Sequence, residues 1–149
     1  MYRHFFVPLD GSAISAALLR QALDFAAAIG ARVTFFHAVA DFGATDAGAL
    51  ERSLDPAAFA QRLADEARAV LEPVEQAGAA AGVVWEALWA VSDHPHQAIL
   101  QLAEKCGADL IFIASHGRSG LQRLMLGSVT ARLLAEARLP VLVARVAQD

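Results

Sequence analysis

Hydrophobic residues follow two alternating patterns along this chain. Five short segments are almost continuously apolar, as expected for buried strands: HFFVPLD, ARVTFFHAVAD, VVWEALWAV, ADLIFIAS and LPVLVARV. Between them, apolar residues recur every three or four positions, which is the period of an amphipathic helix. The predicted order is therefore β-α-β-α-β-α-β-α-β. Strands that are apolar on both faces indicate a parallel sheet with helices covering both sides.

Local signals mark the ends of the predicted helices. Ser12 is a candidate N-cap for the first helix, and Gly30 follows its last turn. Gly107 closes the helix that contains HPHQAILQLAEK, and SVTARLLAEAR is the last helix. These residues predict where each helix begins and ends.

The segment between the second strand and the second helix is harder to interpret. Residues 40–55, ADFGATDAGALERSLD, have no clear period and several turn formers, so they predict a long loop. Asp55 and Pro56 then start the second helix, with proline at its first position. Pro73 should kink or break that helix.

Composition indicates one α/β domain spanning residues 1–149. The chain is 56% hydrophobic and 19% charged, which is too apolar for a disordered protein. Its apolar runs are far shorter than the ~18 residues of a membrane span, and the first ten residues hold no signal-peptide core. We therefore expect a cytoplasmic protein without membrane attachment.

Charge and cysteine content exclude other classes. A net charge of -4 gives no basic face for nucleic acid. The single cysteine, Cys106, allows neither a disulfide framework nor a cysteine-based metal site, and we expect it to be a small packed residue.

Two segments at the carboxyl ends of strands carry unusual chemistry. VPLDGS follows the first strand, and IASHGRSGLQRLMLGSVT, residues 113–130, follows the fourth. In open α/β sheets, ligands bind at the carboxyl ends of strands where the strand order reverses. If the first and fourth strands are neighbours, both segments line one crevice.

The residue types in these segments suit an anion. Gly117 and Gly120 permit left-handed backbone and close approach to a ligand. Gly127 and Ser128 open a helix, whose amino terminus attracts phosphate, and Ser128 could cap that helix or donate to a phosphate oxygen. Arg118 and Arg123 lie nearby in sequence and could neutralise such an anion.

Asp10 is the carboxylate at the opposite lip of the predicted crevice. It could accept hydrogen bonds from ribose hydroxyls, hold a metal through water, or merely cap the first helix or form a turn. The chain has neither the Walker loop nor the GxGxxG fingerprint. The residues alone thus favour an anion or nucleotide without identifying it.

Other candidate residues receive structural interpretations. Ser115 and His116 are adjacent, and neighbours at a strand end are not expected to point at each other, so we predict no serine hydrolase. His94 and His96 are expected at the surface rather than at a metal. We assign no catalytic residue and no protein metal ligand.

These motifs resemble the universal stress protein family, in order and over essentially the whole chain. The similar segments are FFVPLDGSAIS, PHQAIL, GADLIFIASHGRSG, LQRLMLGSVT and LPVLVARV. The family's nucleotide-binding form carries G-x2-G-x9-G-[S/T], and Gly117, Gly127 and Ser128 match its second half. Ala114 replaces the first glycine. If that position needs positive φ, alanine costs ~1–2 kcal/mol; if glycine only clears space, a methyl group is tolerated.

The resemblance implies a fold and a site. The fold is a Rossmann-like, open five-stranded parallel sheet in the order 3-2-1-4-5. The implied nucleotide-binding residues lie near adenine and ribose (Pro8, Leu9, Asp10, Ala38), along the ribose and phosphates (Ile113, Ala114, Ser115, His116, Gly117, Arg118) and at the phosphates (Gly127, Ser128, Val129, Thr130).

The resemblance also implies a function. By this resemblance, the chain is expected to be an ATP-binding stress-response protein that acts in signalling or protection through a protein partner. Mg²⁺ would accompany ATP, and hydrolysis would be slow at most. ADP and AMP remain open as ligands. The implied homodimer forms through the last strand, LPVLVARV. Two alternatives stay open: a dimeric interaction module that binds no nucleotide, suggested by Ala114, and a small hydrolase of phosphate compounds.

Overall fold

Five parallel strands form one sheet flanked by helices in a computed structural model that describes residues 1–116 and 126–146. The strand order is 3-2-1-4-5, as predicted. The elements are β1 (His4–Pro8), α1 (Ala13–Ile29), β2 (Arg32–Val39), α2 (Asp46–Leu54), α3 (Pro56–Ala81), β3 (Trp85–Val91), α4 (Pro95–Lys105), β4 (Leu110–Ala114), α5 (Ser128–Glu136) and β5 (Val141–Ala144).

The central strand β1 is paired unequally with its two neighbours. Its whole length is in register with β2, from His4 opposite Arg32 to Pro8 opposite Phe36. With β4, only Phe5 and Phe6 are in register, opposite Leu110 and Ile111. The carboxyl ends of β1 and β4 are therefore unpaired with each other, and the strand order reverses at this point.

The core lies on both faces of the sheet because successive strand residues point to opposite sides. Phe5 packs on the side of α1 and α3, with its ring 5.2 Å from that of Phe25. Phe6 packs on the side of α4 and α5, with its ring 5.5 Å from that of Phe36. Helices thus cover both faces, as the continuous apolar strands predicted.

The predicted helix ends are largely confirmed. Ser12 caps α1, since its Oγ accepts a hydrogen bond from Ser15 N at 3.3 Å. Gly30 and Gly107 take left-handed φ values of 71° and 73° after α1 and α4. Asp55 caps α3 through Ala58 N at 3.0 Å.

The prediction of a long loop at residues 40–55 is wrong. A short 3₁₀ turn, Phe42–Ala44, is followed by α2, which Thr45 caps by accepting from Gly48 N at 3.1 Å. Gly48 is the only buried residue of α2, and the large apolar residues Leu50 and Leu54 are exposed. A helix that buries so little has no apolar period to detect.

Side chains with aromatic and charged groups hold α2 and the preceding 3₁₀ turn to each other and to α3. Arg52 lies 4.6 Å above the Phe59 ring, and Arg62 lies at the same distance above Phe42. Arg52 also pairs with Asp41 at 2.8 Å. These contacts hold the segment beside α3 instead of leaving it as a free loop.

Pro73 does not break α3, which continues from Pro56 to Ala81. Pro73 lies on the exposed side, where water can satisfy the carbonyl that loses its partner. Leu71 and Val74 on the buried side keep the helix packed on the sheet. The expectation of a broken helix is therefore wrong.

A chain of hydrogen bonds crosses the amino-terminal ends of β1, β2 and β3. Arg32 Nη2 lies 3.1 Å from His4 Nδ1, His4 Nε2 lies 2.7 Å from Thr34 Oγ1, and Thr34 Oγ1 donates to Glu86 Oε1 at 2.7 Å. A guanidinium only donates and a carboxylate only accepts. His4 is therefore neutral with its proton on Nε2.

The surroundings of His4 lower its pKa below the ordinary value. The largest cause is burial, which disfavours the charged ring, and the neighbouring charge of Arg32 acts in the same direction. The Gly107 backbone and the carboxylates of Glu86 and Asp109 oppose the shift without cancelling it. His4 thus supports the sheet in its neutral form.

Within the described residues, no helix combines the length and the apolarity that crossing a membrane would require.

Candidate functional site

A cavity of about 320 Å³ opens at the carboxyl ends of β1 and β4, where the two strands are not paired. Its walls come from the ends of β1, β2 and β4, the first turns of α1, α4 and α5, and the adjoining loops. Most of the lining is apolar, with a few polar groups at defined places, which is the usual character of a small-molecule site.

Most of the residues predicted at the site line this cavity. They are Pro8, Leu9, Asp10, Ala38, Ile113, Ala114, His116, Gly127, Ser128, Val129 and Thr130. Ser115 is buried and does not line it. Gly117 and Arg118, together with Gly120 and Arg123, lie outside the described residues. Segments far apart in sequence therefore meet at one place.

The sequence prediction missed further lining residues from α1, β2 and α4. They are Ile14, Ser15, Leu18, Phe36, His37, Pro95 and Ile99. Most are apolar members of the same helical stripes and strands that build the core, so residue type does not distinguish them. The signal for Ser15 was its position in the first turn of the helix that follows Asp10.

The carboxylate of Asp10 is held by the beginning of α1. Its Oδ1 accepts from Ser12 N at 3.0 Å and from Ser15 Oγ at 2.8 Å, and Asp10 N donates to Ser15 Oγ at 2.9 Å. Gly11 takes a left-handed φ of 80°, which turns the chain back so that the amide of Ser12 reaches the carboxylate. The negative charge therefore has a fixed orientation at the cavity wall.

The backbone of Leu9 is fixed from the β2 side. Leu9 N donates to Phe36 O at 2.7 Å, and His37 Nδ1 donates to Leu9 O at 2.8 Å. Because a carbonyl only accepts, His37 carries a proton on Nδ1. His37 Nε2 is buried without a hydrogen-bond partner among the described residues, 3.9 Å from Glu66 Oε1.

The amino terminus of α5 faces the cavity, and no side chain among the described residues caps it. Gly127 is the N-cap, and Ser128 is the first helical residue, so the expectation that Ser128 caps the helix is wrong. Gly127 N donates to Ser115 O at 2.8 Å. The amides of Ser128, Val129 and Thr130 belong to the first turn, where helix geometry provides no internal acceptor. This end of the helix suits an anion.

The substitution at Ala114 causes no backbone strain. Ala114 ends β4 as a buried strand residue, and no non-glycine residue among those described has positive φ. The condition under which alanine would cost ~1–2 kcal/mol is therefore not met. Ala114 O also accepts from Thr130 Oγ1 at 2.8 Å, which ties the start of α5 to the end of β4.

Ser115 and His116 do contact each other, contrary to expectation. Ser115 Oγ lies 2.9 Å from His116 Nδ1. Ser115 is nevertheless buried away from the cavity, whereas His116 lines it. A nucleophile must reach its substrate, and Ser115 is not among the residues that line this cavity.

The histidines at the start of α4 differ from each other in exposure. His94 is exposed as expected, but His96 is buried, so the surface assignment for His96 is wrong. Their rings meet edge to face with centroids 6.5 Å apart. In the part of the chain that the structure describes, no group of three or more His, Cys, Asp or Glu side chains could hold a metal.

Comparison with known proteins identifies one family. The model of the universal stress protein family matches residues 1–145. Universal stress protein YxiE of Bacillus subtilis is 30% identical in an alignment of 149 positions that covers 97% of this chain and 100% of YxiE.

Solved structures agree with this result. The structure of MJ0577 from Methanocaldococcus jannaschii superposes with a TM-score of 0.81 at 26% identity, covering 100% of this chain and 99% of the other. A universal stress protein solved in complex with cAMP superposes with a TM-score of 0.60 at 25% identity, covering 97% of each chain. Since the family model spans nearly the whole sequence and a full-length relative is 30% identical, this chain belongs to the universal stress protein family.

Proposed function

We propose that this protein binds an adenine nucleotide in the cavity between β1 and β4 and acts as a nucleotide-dependent stress-response module. One observation carries the proposal: the sequence singled out residues 8–10 and segment 113–130 independently of any coordinates, and residues from both line one cavity at the point where the strand order reverses. From the second segment these are Ile113, Ala114, His116 and residues 127–130. Ligands of open α/β sheets bind at this position.

The chemistry of the cavity matches the three parts of a nucleotide. Apolar side chains such as Phe36, Ile99 and Ile113 offer a surface for the base. Asp10 offers a carboxylate to ribose hydroxyls, which are hydrogen-bond donors. The start of α5, whose N-cap Gly127 has no side chain, offers amides and a partial positive charge to phosphate, and the exposed residue Ser128 adds a hydroxyl there.

A relative supports the choice of adenine. The universal stress protein solved with cAMP shares the fold over 97% of this chain. We propose ATP with Mg²⁺ as the ligand, and AMP and ADP are to be compared with it. The proposed binding residues are those predicted from the sequence, including Gly117 and Arg118, which lie outside the described residues.

The proposal includes a homodimer and a cytoplasmic location. Strand β5 is an edge of the sheet, and the side chains of Val141, Leu142 and Val143 are only partly buried. Unpaired apolar edges tend to associate. Light scattering at micromolar concentration should give twice the mass of one chain, and a monomer would contradict the dimer.

Thermal unfolding with and without Mg-ATP tests nucleotide binding. A ligand at 100 times its dissociation constant stabilises by ~2.7 kcal/mol, which corresponds to roughly 5–11 °C for a chain of this size. Nucleotide released from the denatured, purified protein would be independent support. No shift at millimolar ATP, ADP or AMP, with no nucleotide released, would overturn the proposal in favour of a module that works through its surface.

Gly127→Val provides the site-specific variant. Gly127 has φ −59° and ψ 154°, a backbone conformation that valine also adopts, so the fold should survive. The added side chain would stand at the proposed phosphate position, and the thermal shift by Mg-ATP should disappear. An undiminished shift would show that phosphate does not bind at the start of α5. Rapid ATP turnover by the parent protein would contradict the expectation of at most slow hydrolysis.

A further inference from the structure

Ser15 is a polar residue on the buried face of α1. The neighbouring buried positions are apolar, among them Ile14, Leu18 and Leu19. Ser15 is 9% exposed. Burial of a hydroxyl is unfavourable unless it is hydrogen-bonded, so its partners decide what it contributes.

Both hydrogen-bonding roles of the Ser15 hydroxyl are directed to one residue, Asp10. The hydroxyl accepts from Asp10 N at 2.9 Å and donates to Asp10 Oδ1 at 2.8 Å. Ser12 N reaches the same oxygen at 3.0 Å. The backbone and the side chain of Asp10 are therefore linked through one hydroxyl, and rotation of the carboxylate would break a charge-assisted bond.

A carboxylate with a fixed orientation binds donors better than a mobile one, because less conformational freedom is lost on binding. Ser15 also lines the cavity next to Asp10. Ser15 should therefore affect the affinity for ligands that carry the groups contacting Asp10, and should have little effect on the affinity for ligands that lack them.

We propose that Ser15 is a positioning residue that orients the Asp10 carboxylate toward ribose hydroxyls, so that α1 sets the preference for ribonucleotides over analogues without these hydroxyls. The inference rests on the proposed function. It adds the residue through which α1 acts and the preference among ligands that this residue should produce.

The test measures dissociation constants for Mg-ATP and for Mg-2′,3′-dideoxy-ATP by calorimetry. The parent should bind Mg-ATP more tightly. Ser15→Ala should reduce that preference by about tenfold, which corresponds to ~1.4 kcal/mol, and should leave the affinity for dideoxy-ATP nearly unchanged. If Ser15 had a purely structural role, Ser15→Ala would weaken the binding of both ligands to the same extent.

Thr45→Val is the matched control. The Thr45 hydroxyl also both accepts and donates, from Gly48 N at 3.1 Å and to Phe42 O at 2.6 Å, and it does not line the cavity. Both variants should lower the midpoint of thermal unfolding, but only Ser15→Ala should change the ribose preference. Loss of the preference in both variants would overturn the inference.

A double-mutant cycle separates positioning from direct contact. If Ser15 acts through the carboxylate, Asp10→Ala combined with Ser15→Ala should lose no more ribose preference than Asp10→Ala alone. Additive losses would overturn this mechanism. If the parent binds both ligands equally, or Ser15→Ala keeps the parent's preference, the inference fails while the proposed function stands. If the parent binds neither ligand, the proposed function fails and the inference with it.

Discussion

Replacing Ala114 by glycine tests whether this departure from the family motif obstructs the cavity. Ala114 is 6% exposed, packs in the core beneath α1 and has no left-handed backbone to relieve. Loss of its buried methyl group costs ~0.8 kcal/mol, and the added backbone freedom of glycine costs ~0.5–1 kcal/mol. Ala114→Gly should therefore lower the free energy of unfolding by about 1.5 kcal/mol. The affinity of the variant for Mg-ATP should stay within about threefold of that of the parent.

Ala144→Gly is a closely matched control for this variant. Ala144 lies opposite Ala114 in register, is 7% exposed and belongs to the same core cluster, but it does not line the cavity. Urea denaturation should give similar losses for both variants, equivalent to roughly 3–6 °C in the thermal midpoint. A tenfold gain in affinity that is specific to Ala114→Gly would refute the reasoning, because it would show that the methyl group blocks the nucleotide.

Three further predictions concern stability. Gly78→Ala should destabilise the protein, although alanine favours helices over glycine by ~1 kcal/mol, because the new Cβ would lie 2.6 Å from Cε2 of the Trp85 indole. In a Trp85→Val background, where the indole is absent, the same change should stabilise the protein. Urea denaturation of the parent, the two single variants and the double variant measures both effects. The pKa of His4 is lower in the folded state than its ordinary 6.5, so His4 should contribute its full share of the free energy of unfolding above that pH and lose it as the pH falls. His4→Asn should therefore reduce the difference between the free energies of unfolding measured by urea denaturation at pH 7.5 and pH 5. An unchanged difference would contradict this prediction. Thr130→Val should cost ~1–2 kcal/mol by removing the buried bond to the Ala114 carbonyl, and a loss below about 0.5 kcal/mol in urea denaturation would contradict this.

The sheet and most helix ends could be predicted because the physical signals are local. Continuous apolar runs gave the five strands, and Gly30 ends α1 where a left-handed residue was expected. Helix α2 escaped prediction because it is held by the stacking of Arg52 on Phe59 and by an ion pair to Asp41, not by an apolar stripe. Such contacts depend on residues of other elements and leave no period in the sequence.

The cavity was predicted in outline and incompletely in detail. Glycines and a lone carboxylate after strands mark Asp10 and Gly127 as unusual. Nothing in residue type separates Phe36 or Ile99 from the rest of the core, because lining a cavity and filling a core require the same side chains. The contact between Ser115 and His116 depends on the local direction of the chain beyond β4, which adjacency in sequence does not determine.

The unequal pairing of β1 has a consequence for the order of folding. Strands β3, β2 and β1 all come from the first 91 residues, and β4 and β5 come from the end of the chain. The register pairs Phe5–Leu110 and Phe6–Ile111 join these two halves of the sheet, and Asp109 beside them accepts hydrogen bonds from Arg3 N and His4 N. Contacts so distant in sequence form slowly because a large loop must close first. The cavity therefore lies across a junction made by contacts that we expect to form late in folding, and a ligand bound there would contact strands from both parts of the chain.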